Sequence, residues 1–288
     1  MDHSNDRVLA DAPALYVVAT PLGNLGDITQ RARAVLEAVD LIAAEDTRHS
    51  QRLLDAIGVR TRLVAAHEHN EQESASKLID ALTAGQHVAL ITDAGTPAVS
   101  DPGARVVRRV QDAGFAVVPL PGASAVVTAL SASGLLDARF HFVGFLPPKQ
   151  AARRAELEAL RGIAATLVFY EAPHRIEECV TDLAAVMEPV RELVIARELT
   201  KRFEQIVRLP LPEAAAWLAE DANRLRGEFV LLLSAAPAGE GLGPEAERVL
   251  RLLLAELPVK SAAKLAAEIT GAPKNQLYAL ALEIKDAG

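Results

Sequence analysis

Short apolar runs recur along the chain, and each ends in a polar turn rich in glycine, proline or charge. Residues 15–20, 41–45, 62–66, 87–92 and 115–120 are such runs, and their length and β-branched content predict buried strands. Helical stretches lie between them. Asp27 and Gln30 stand at capping-box spacing, which predicts a helix over 28–38. The segment from Ala104 to Val110 reads as another helix. Strand and helix in alternation imply parallel strands joined by crossover helices.

A second half begins near Ala125. Residues 140–146, 166–170, 192–196, 203–208 and 228–233 read as strands. Two of them flank Leu199-Thr-Lys-Arg202 with only a short connection, which predicts a hairpin and a mixed sheet. The expected fold class is therefore α/β: two α/β domains, 13–124 and 125–236, with an interdomain cleft. Pro237-Ala-Gly-Glu-Gly-Leu-Gly-Pro244 is a linker by composition. A small C-terminal helical domain over 243–288 follows, with helices at 245–257, 261–269 (Ser261 as its N-cap) and 274–284. Two short helices about the Thr270-Gly-Ala-Pro273 turn form a helix-turn-helix-like pattern. The same pattern serves equally as a clamp or dimer element that touches no nucleic acid.

With 288 residues, half of them hydrophobic, the chain can build a full core. No apolar run is long enough to span a bilayer, and the start, Met1-Asp-His-Ser-Asn-Asp6, is unlike a signal peptide. A cytoplasmic protein without membrane partners is expected. The single cysteine, Cys179, excludes an intrachain disulfide framework and reads as a small buried helix residue. A net charge of −8 argues against broad, non-specific nucleic-acid binding but leaves room for a local basic cleft. Aromatics are only 4% of residues, so extensive base-stacking surfaces are disfavoured.

The most informative stretch is Asp93-Ala-Gly-Thr-Pro-Ala-Val-Ser-Asp-Pro-Gly103. It follows a predicted strand and precedes a predicted helix, the place where open α/β sheets hold ligands. Five further polar clusters fall at strand ends: 20–27, 45–49, 121–124, 170–175 and 197–201. Turns and caps use the same residue types, but six clusters together favour one ligand site. No G-x-G-x-x-G fingerprint and no P-loop sequence is present, which disfavours the usual dinucleotide fold and nucleotide triphosphatases. His67-Glu-His69 lacks the further ligands a zinc site wants, so no protein-bound metal is expected. Mg²⁺ bridging RNA phosphates needs few protein ligands and stays open. If a hydroxyl is the nucleophile it needs a base or a nearby cation. Asp46, Glu45 and Glu171 are candidate bases; Arg48, Lys149, Arg175, Arg197 and Lys201 are candidate cations.

Several motifs occur in order: Thr20-Pro-Leu-Gly-Asn-Leu-Gly-Asp27, Glu45-Asp-Thr-Arg48, His69-Asn-Glu71, Asp93-Ala-Gly-Thr-Pro97, Ser100-Asp-Pro-Gly103, Pro121-Gly122, Gly144-Phe-Leu-Pro147, Tyr170-Glu-Ala-Pro-His-Arg175 and Arg197-Glu-Leu-Thr-Lys201. Over about residues 13–234 the chain resembles the ribosomal RNA small subunit methyltransferase I family. That family is a branch of the tetrapyrrole methylase-like S-adenosylmethionine methyltransferases, and its extra C-terminal domain is similar to the helical tail here. Ala172 and Ala98 depart from the serine and the larger aliphatic residue that relatives often carry.

The resemblance implies 2′-O-methylation of the ribose of a decoding-site cytidine in 16S ribosomal RNA. It implies S-adenosylmethionine as cofactor, the 16S RNA or the small ribosomal subunit as partner, and a homodimer. The cofactor loop maps onto Asp93, Ala94, Gly95, Thr96 and Pro97. Further cofactor contacts map onto Pro21, Leu22, Ser124, Ala125, Val126, Phe169, Tyr170, Ala196, Gly227, Glu228 and Phe229. Asp46, Glu171 and Lys201 are the expected catalytic residues, the two carboxylates taking or orienting the hydroxyl proton. Arg48, Lys149, Arg175 and Arg197 are expected to hold RNA. Two other readings share parts of this pattern: methylation of a tetrapyrrole or other small molecule, and a ribosome-binding factor without catalysis.

Overall fold

The computed structural model of the chain describes residues 8–66, 71–100, 103–237 and 244–286. Strands β1 (Ala14–Val18), β2 (Leu41–Ala44), β3 (Leu63–Ala65), β4 (Val88–Ile91) and β5 (Ala116–Leu120) form the first sheet. Their order is β3-β2-β4-β1-β5, and every pairing is parallel. Alternate residues of β1 serve opposite faces: Tyr16 and Val18 meet α1 (Gln30–Ala38) and α2 (Thr47–Ile57). Leu15 meets α3 (Glu71–Thr83) and α4 (Ala104–Asp112). The chain thus leaves β1 toward one face and leaves the adjacent β4 toward the other. A crevice opens between their carboxyl ends for that reason.

The second sheet contains β6 (Phe140–Phe145), β7 (Thr166–Glu171), β8 (Glu192–Arg197), β9 (Gln205–Pro210) and β10 (Phe229–Leu233), in the order β6-β7-β10-β8-β9. It is mixed: β6 and β7 are parallel, β10 is antiparallel to β7 and β8, and β8 and β9 form the expected hairpin. The carboxyl ends of β6, β7 and β8 therefore share an edge with the amino end of β10. Helices α6 (Gln150–Leu160), α7 (Ile176–Val186) and α8 (Ala214–Ala219) cover one face. The other face takes α5 (Ala125–Ser133) together with Leu22 and Ala123 from loops of the first half.

Helices α6 and α7 are joined by a buried charge cluster. Arg153 Nε and Arg154 Nε each donate to Asp182 at 2.6 Å, and neither the Arg153 nor the Asp182 side chain is exposed. Burial alone would raise the Asp182 pKa, but the hydrogen bonds from Arg154 and Arg153 outweigh it and hold the carboxyl below its usual range. The tail helices α9 (Pro244–Glu256), α10 (Val259–Thr270) and α11 (Lys274–Asp286) pack around Val249, Leu250, Leu277 and five alanines. Small side chains let the helices approach closely. Gly271, left-handed at φ 71°, ends α10 and makes the turn.

Three local expectations are corrected. The N-cap of α1 is Thr29, whose hydroxyl accepts from the Ala32 N–H; Asp27 lies in a preceding 3₁₀ turn capped by Asn24. Ser261 does not cap α10, which begins earlier at Val259 after Pro258. Strand β9 starts at Gln205 because residues 198–204 form the hairpin turn, with Glu198 and Thr200 at positive φ and the Thr200 N–H bound by Glu204. His67, Glu68 and His69, and linker residues 238–243, lie outside the described residues.

Replacing Asp182 with alanine strands a buried guanidinium, and the expected loss is about 3–5 kcal/mol in urea unfolding. The pH sign follows from the depressed folded pKa. The Asp182 contribution is complete above the unfolded carboxylate value of about 3.9 and is lost as pH falls through the lower folded value. The stability gap between wild type and Asp182→Asn should accordingly be widest near neutrality and narrow in acid.

Candidate active site

The loops after β1 and β4 are fastened to each other. Thr20 N–H donates to Gly95 O and Gly95 N–H to Thr20 O, both at 2.9 Å, an isolated antiparallel bridge. Thr20 Oγ1 also donates to Thr92 O at 3.0 Å. Thr96 Oγ1 donates to Ala123 O at 2.9 Å and ties in the loop after β5. Gly95 sits at φ 81°, a conformation few side chains adopt, and a Cβ there would press on Leu22 at 3.3 Å. Gly122 lies so close to β1 that a Cβ would come within 2.7 Å of the Ala19 methyl.

Over this stitched edge opens a cavity of about 500 Å³. One wall is Leu22, Glu45 and residues 92–96, with Val99, Ser100, Ser124 and Ala125. The opposite wall comes from the ends of the second sheet: Phe145, residues 170–173, Leu199 and residues 228–230. Each of the six polar clusters seen at strand ends supplies at least one lining residue. The lining is mostly apolar with a few fixed polar atoms, as small-molecule sites usually are. Asp93 Oδ1 is buried without a hydrogen-bond partner. Burial pushes the Tyr170 phenol up, against a hydrogen bond with the Val126 backbone that pulls it down, so the phenol stays protonated.

Of the expected cofactor residues, Leu22, Asp93, Ala94, Gly95, Thr96, Ser124, Ala125, Tyr170, Glu228 and Phe229 line the cavity. Val126 and Ala196 are buried in the apolar layer behind it. Phe169 belongs to the core on the far face of the sheet, because β7 alternates and Val168 and Tyr170 take the cleft face. Pro21 and Pro97 flank lining residues without lining the cavity. Gly227 is at φ 96° and gives way to Glu198, whose Cγ would lie 2.4 Å from a Cβ there.

The charged candidates divide differently from expectation. Asp46 is the N-cap of α2: its carboxylate accepts from the N–H groups of Arg48 (2.7 Å) and His49 (3.2 Å). Those backbone hydrogen bonds, from His49 and then Arg48, lower its pKa and make it a weaker base. Glu171 borders the cavity. Its carboxyl is fully buried, accepts from the Ala172 N–H at 2.8 Å and pairs with Arg175 Nε at 3.2 Å. Glu171 Oε2 has no hydrogen-bond partner. The thiol of Cys179 lies beside it, and burial together with the Glu171 charge pushes that thiol up, so it is no nucleophile at neutral pH.

Arg175 and Arg197, expected on RNA, hold backbone instead. Arg175 Nη2 donates to Leu146 O at 2.6 Å, and Arg197 Nη1 donates to Asn223 O and Arg226 O at 2.9 Å each. Lys201 bridges Glu198 Oε1 (3.0 Å) and Glu228 Oε2 (2.9 Å). Burial lowers its pKa, but hydrogen bonds to Glu228 and Glu198 more than compensate and keep it charged. Its stem lies against Gly23, where a Cβ would meet Cγ at 2.3 Å, so it braces a loop of the first half. Arg48 and Lys149 are exposed, each beside a helix amino end. Lining residues absent from the expected set include Phe145, Val99, Leu199 and Val230; their signal was position at a strand end, not polarity. Among the described residues no cluster of three or more His, Cys, Asp or Glu could hold a metal ion.

Known proteins share this architecture. The chain matches Tetrapyrrole (Corrin/Porphyrin) Methylases over residues 14–215 and the RsmI C-terminal HTH domain over residues 240–285. The methyltransferase CobJ superposes with a TM-score of 0.60 at 19% identity, over 81% of this chain and 98% of that one. A Thermus thermophilus uroporphyrin-III C-methyl transferase, complexed with S-adenyl homocysteine, gives 0.56 at 20% identity, over 77% and 97%. Ribosomal RNA small subunit methyltransferase I of Pseudomonas aeruginosa is 55% identical over 94% of this chain and 98% of its own length. The Escherichia coli O157:H7 protein of the same name is 53% identical over 93% and 94%. The chain belongs to the tetrapyrrole methylase family and, within it, to the ribosomal RNA small subunit methyltransferase I group.

Proposed function

We propose that this chain transfers a methyl group from S-adenosylmethionine to the ribose 2′-oxygen of a cytidine in 16S ribosomal RNA. The observation that carries this is identity of about half over nearly the whole chain, helical tail included, with proteins named ribosomal RNA small subunit methyltransferase I. The fold alone does not choose the substrate, because a uroporphyrin-III C-methyl transferase shares it at 20% identity.

The cavity residues fit the cofactor. The volume, about 500 Å³, suits a nucleoside-sized ligand. Leu22, Phe229 and Val230 supply apolar wall, and Asp93 Oδ1 is a buried acceptor lacking a partner. When bound, S-adenosylmethionine supplies an activated methyl group on a sulfonium sulfur. The remaining work falls to the chain. The Thr20–Gly95 bridge fixes the loop that would hold the cofactor, so orientation is set before substrate arrives. Glu171 borders the cavity, but its carboxyl is buried on the Cys179 side of β7 and held by Arg175 and the Ala172 N–H. In this reading its Oε2 turns toward the cavity to orient the hydroxyl proton. Lys201 orders the edge formed by Glu198 and Glu228. Exposed Arg48 and Lys149 meet RNA phosphates, and the α6 amino end, which no side chain caps, adds N–H donors. A homodimer is part of this proposal, and sedimentation velocity should report the mass of two chains.

Mapping of 2′-O-methyl groups at nucleotide resolution, with and without the gene, should show one 16S cytidine losing its mark. Gly95→Val should keep the circular dichroism of the folded chain, lower its melting temperature because valine is strained at φ 81°, and abolish S-adenosylmethionine binding in calorimetry below that temperature; undiminished affinity counts against this cofactor placement. Glu171→Gln should slow single-turnover transfer by about 10²–10⁴-fold. Asp46→Ala should leave the transfer rate nearly unchanged while lowering thermal stability by about 1 kcal/mol through the lost α2 cap.

A further inference from the structure

The register of β6 against β7 breaks between Phe142 and Gly144. Phe142 pairs with Val168 and faces the cleft side of the sheet. Simple alternation from there would turn Phe145 to the opposite face, into the core around Leu146 and Leu157. The extra residue prevents this. Val143 packs on the far core, Gly144 stands opposite Phe169 at φ 82°, and Phe145 comes round opposite Tyr170 on the cleft side. Bulges re-aim side chains in this way, since a one-residue shift exchanges the faces of a strand. A side chain at 144 is doubly disfavoured, because a Cβ there would sit 2.6 Å from Ser100 Oγ on the opposite wall.

The re-aimed ring is not buried. Phe145 is 54% exposed, yet it lines the cavity. Tyr170 meets it edge-on at 5.6 Å and is itself propped by Phe142 at 5.0 Å. The ring is thus held in place by aromatic neighbours while much of its surface stays open. An exposed, fixed, flat apolar surface beside a methyl-transfer site suits an unstacked nucleobase. Proteins that recognise unpaired RNA splay its bases out and stack them on aromatic side chains.

We infer that the Phe145 ring is the platform on which the base of the nucleotide to be methylated stacks, an inference that rests on the ribose-methylation proposal. The ring selects for a flat base at this position, whereas the ribose presents its 2′-oxygen deeper in the cavity.

The test uses the full chain, small ribosomal subunits lacking the modification, and labelled S-adenosylmethionine. For Phe145→Ala, the KM for subunits should rise about ten- to a hundredfold, the range expected for one lost stacking contact. The dissociation constant for S-adenosylmethionine, measured by calorimetry, should change less than twofold. Phe145→Trp should restore the subunit KM; Phe145→Leu, apolar but without a flat face, should not. A subunit KM for Phe145→Ala within twofold of wild type overturns the inference, as does full rescue by leucine. A parallel loss of S-adenosylmethionine affinity also overturns it, because the ring would then be a wall of the cofactor site. If the wild type itself transfers no methyl to these subunits, the ribose-methylation proposal fails and the base platform with it.

Discussion

The reciprocal hydrogen bonds between Thr20 and Gly95 are the constraint on which the site depends. They join two loops that leave adjacent parallel strands for opposite faces of the sheet. Without the bridge, the topology would leave a gap with mobile lips. With it, the backbone at the crevice floor is paired, and Thr20 Oγ1 and Thr96 Oγ1 extend the stitching to β4 and to the loop after β5. Gly95 is required because the bridge demands a positive φ with Leu22 pressed against the place a Cβ would take. Local geometry, apolar packing and site formation therefore meet in one residue pair.

The second half repeats the logic with charge instead of backbone. Arg175 links Glu171, at the end of β7, to the carbonyl of Leu146, just past the end of β6. Arg197 gathers the carbonyls of Asn223 and Arg226. Lys201 draws together the acidic residues ahead of β10 and after β8. Each cation ties acceptors from separate segments to one another: Arg175 at the buried end of β7, Arg197 and Lys201 at more exposed positions. These groups hold the geometry of the wall; of the five candidate cations, Arg48 and Lys149 are the exposed ones.

Much of this architecture was legible from residue order. Apolar runs such as Leu41–Ala44 and Val88–Ile91 are buried on both sides, and that pattern survives any tertiary detail. The convergence of strand-end clusters followed from parallel topology alone. Function by charge was less legible. A sequence shows that Asp46 and Arg175 are ionised but not whether backbone groups have already claimed them. Phe169 and Tyr170 were both expected at the cofactor, yet only the Tyr170 side chain takes the cleft face, since neighbours along a strand look alike in sequence but serve opposite layers. The β6 bulge was hidden for a related reason: an inserted residue is visible only against its partner strand. The cap at Thr29 and the early start of α10 were lost to competing cap residues a few positions away.

Leu22 belongs at once to the cavity lining and to the apolar layer beneath α5 on the second sheet. A hinge that parted the two halves would pull this side chain out of hydrocarbon and into water, so wide breathing of the molecule is energetically opposed. The chain behaves as a preset vice rather than a closing jaw, and ligands meet a seat whose ordering entropy was already lost during folding.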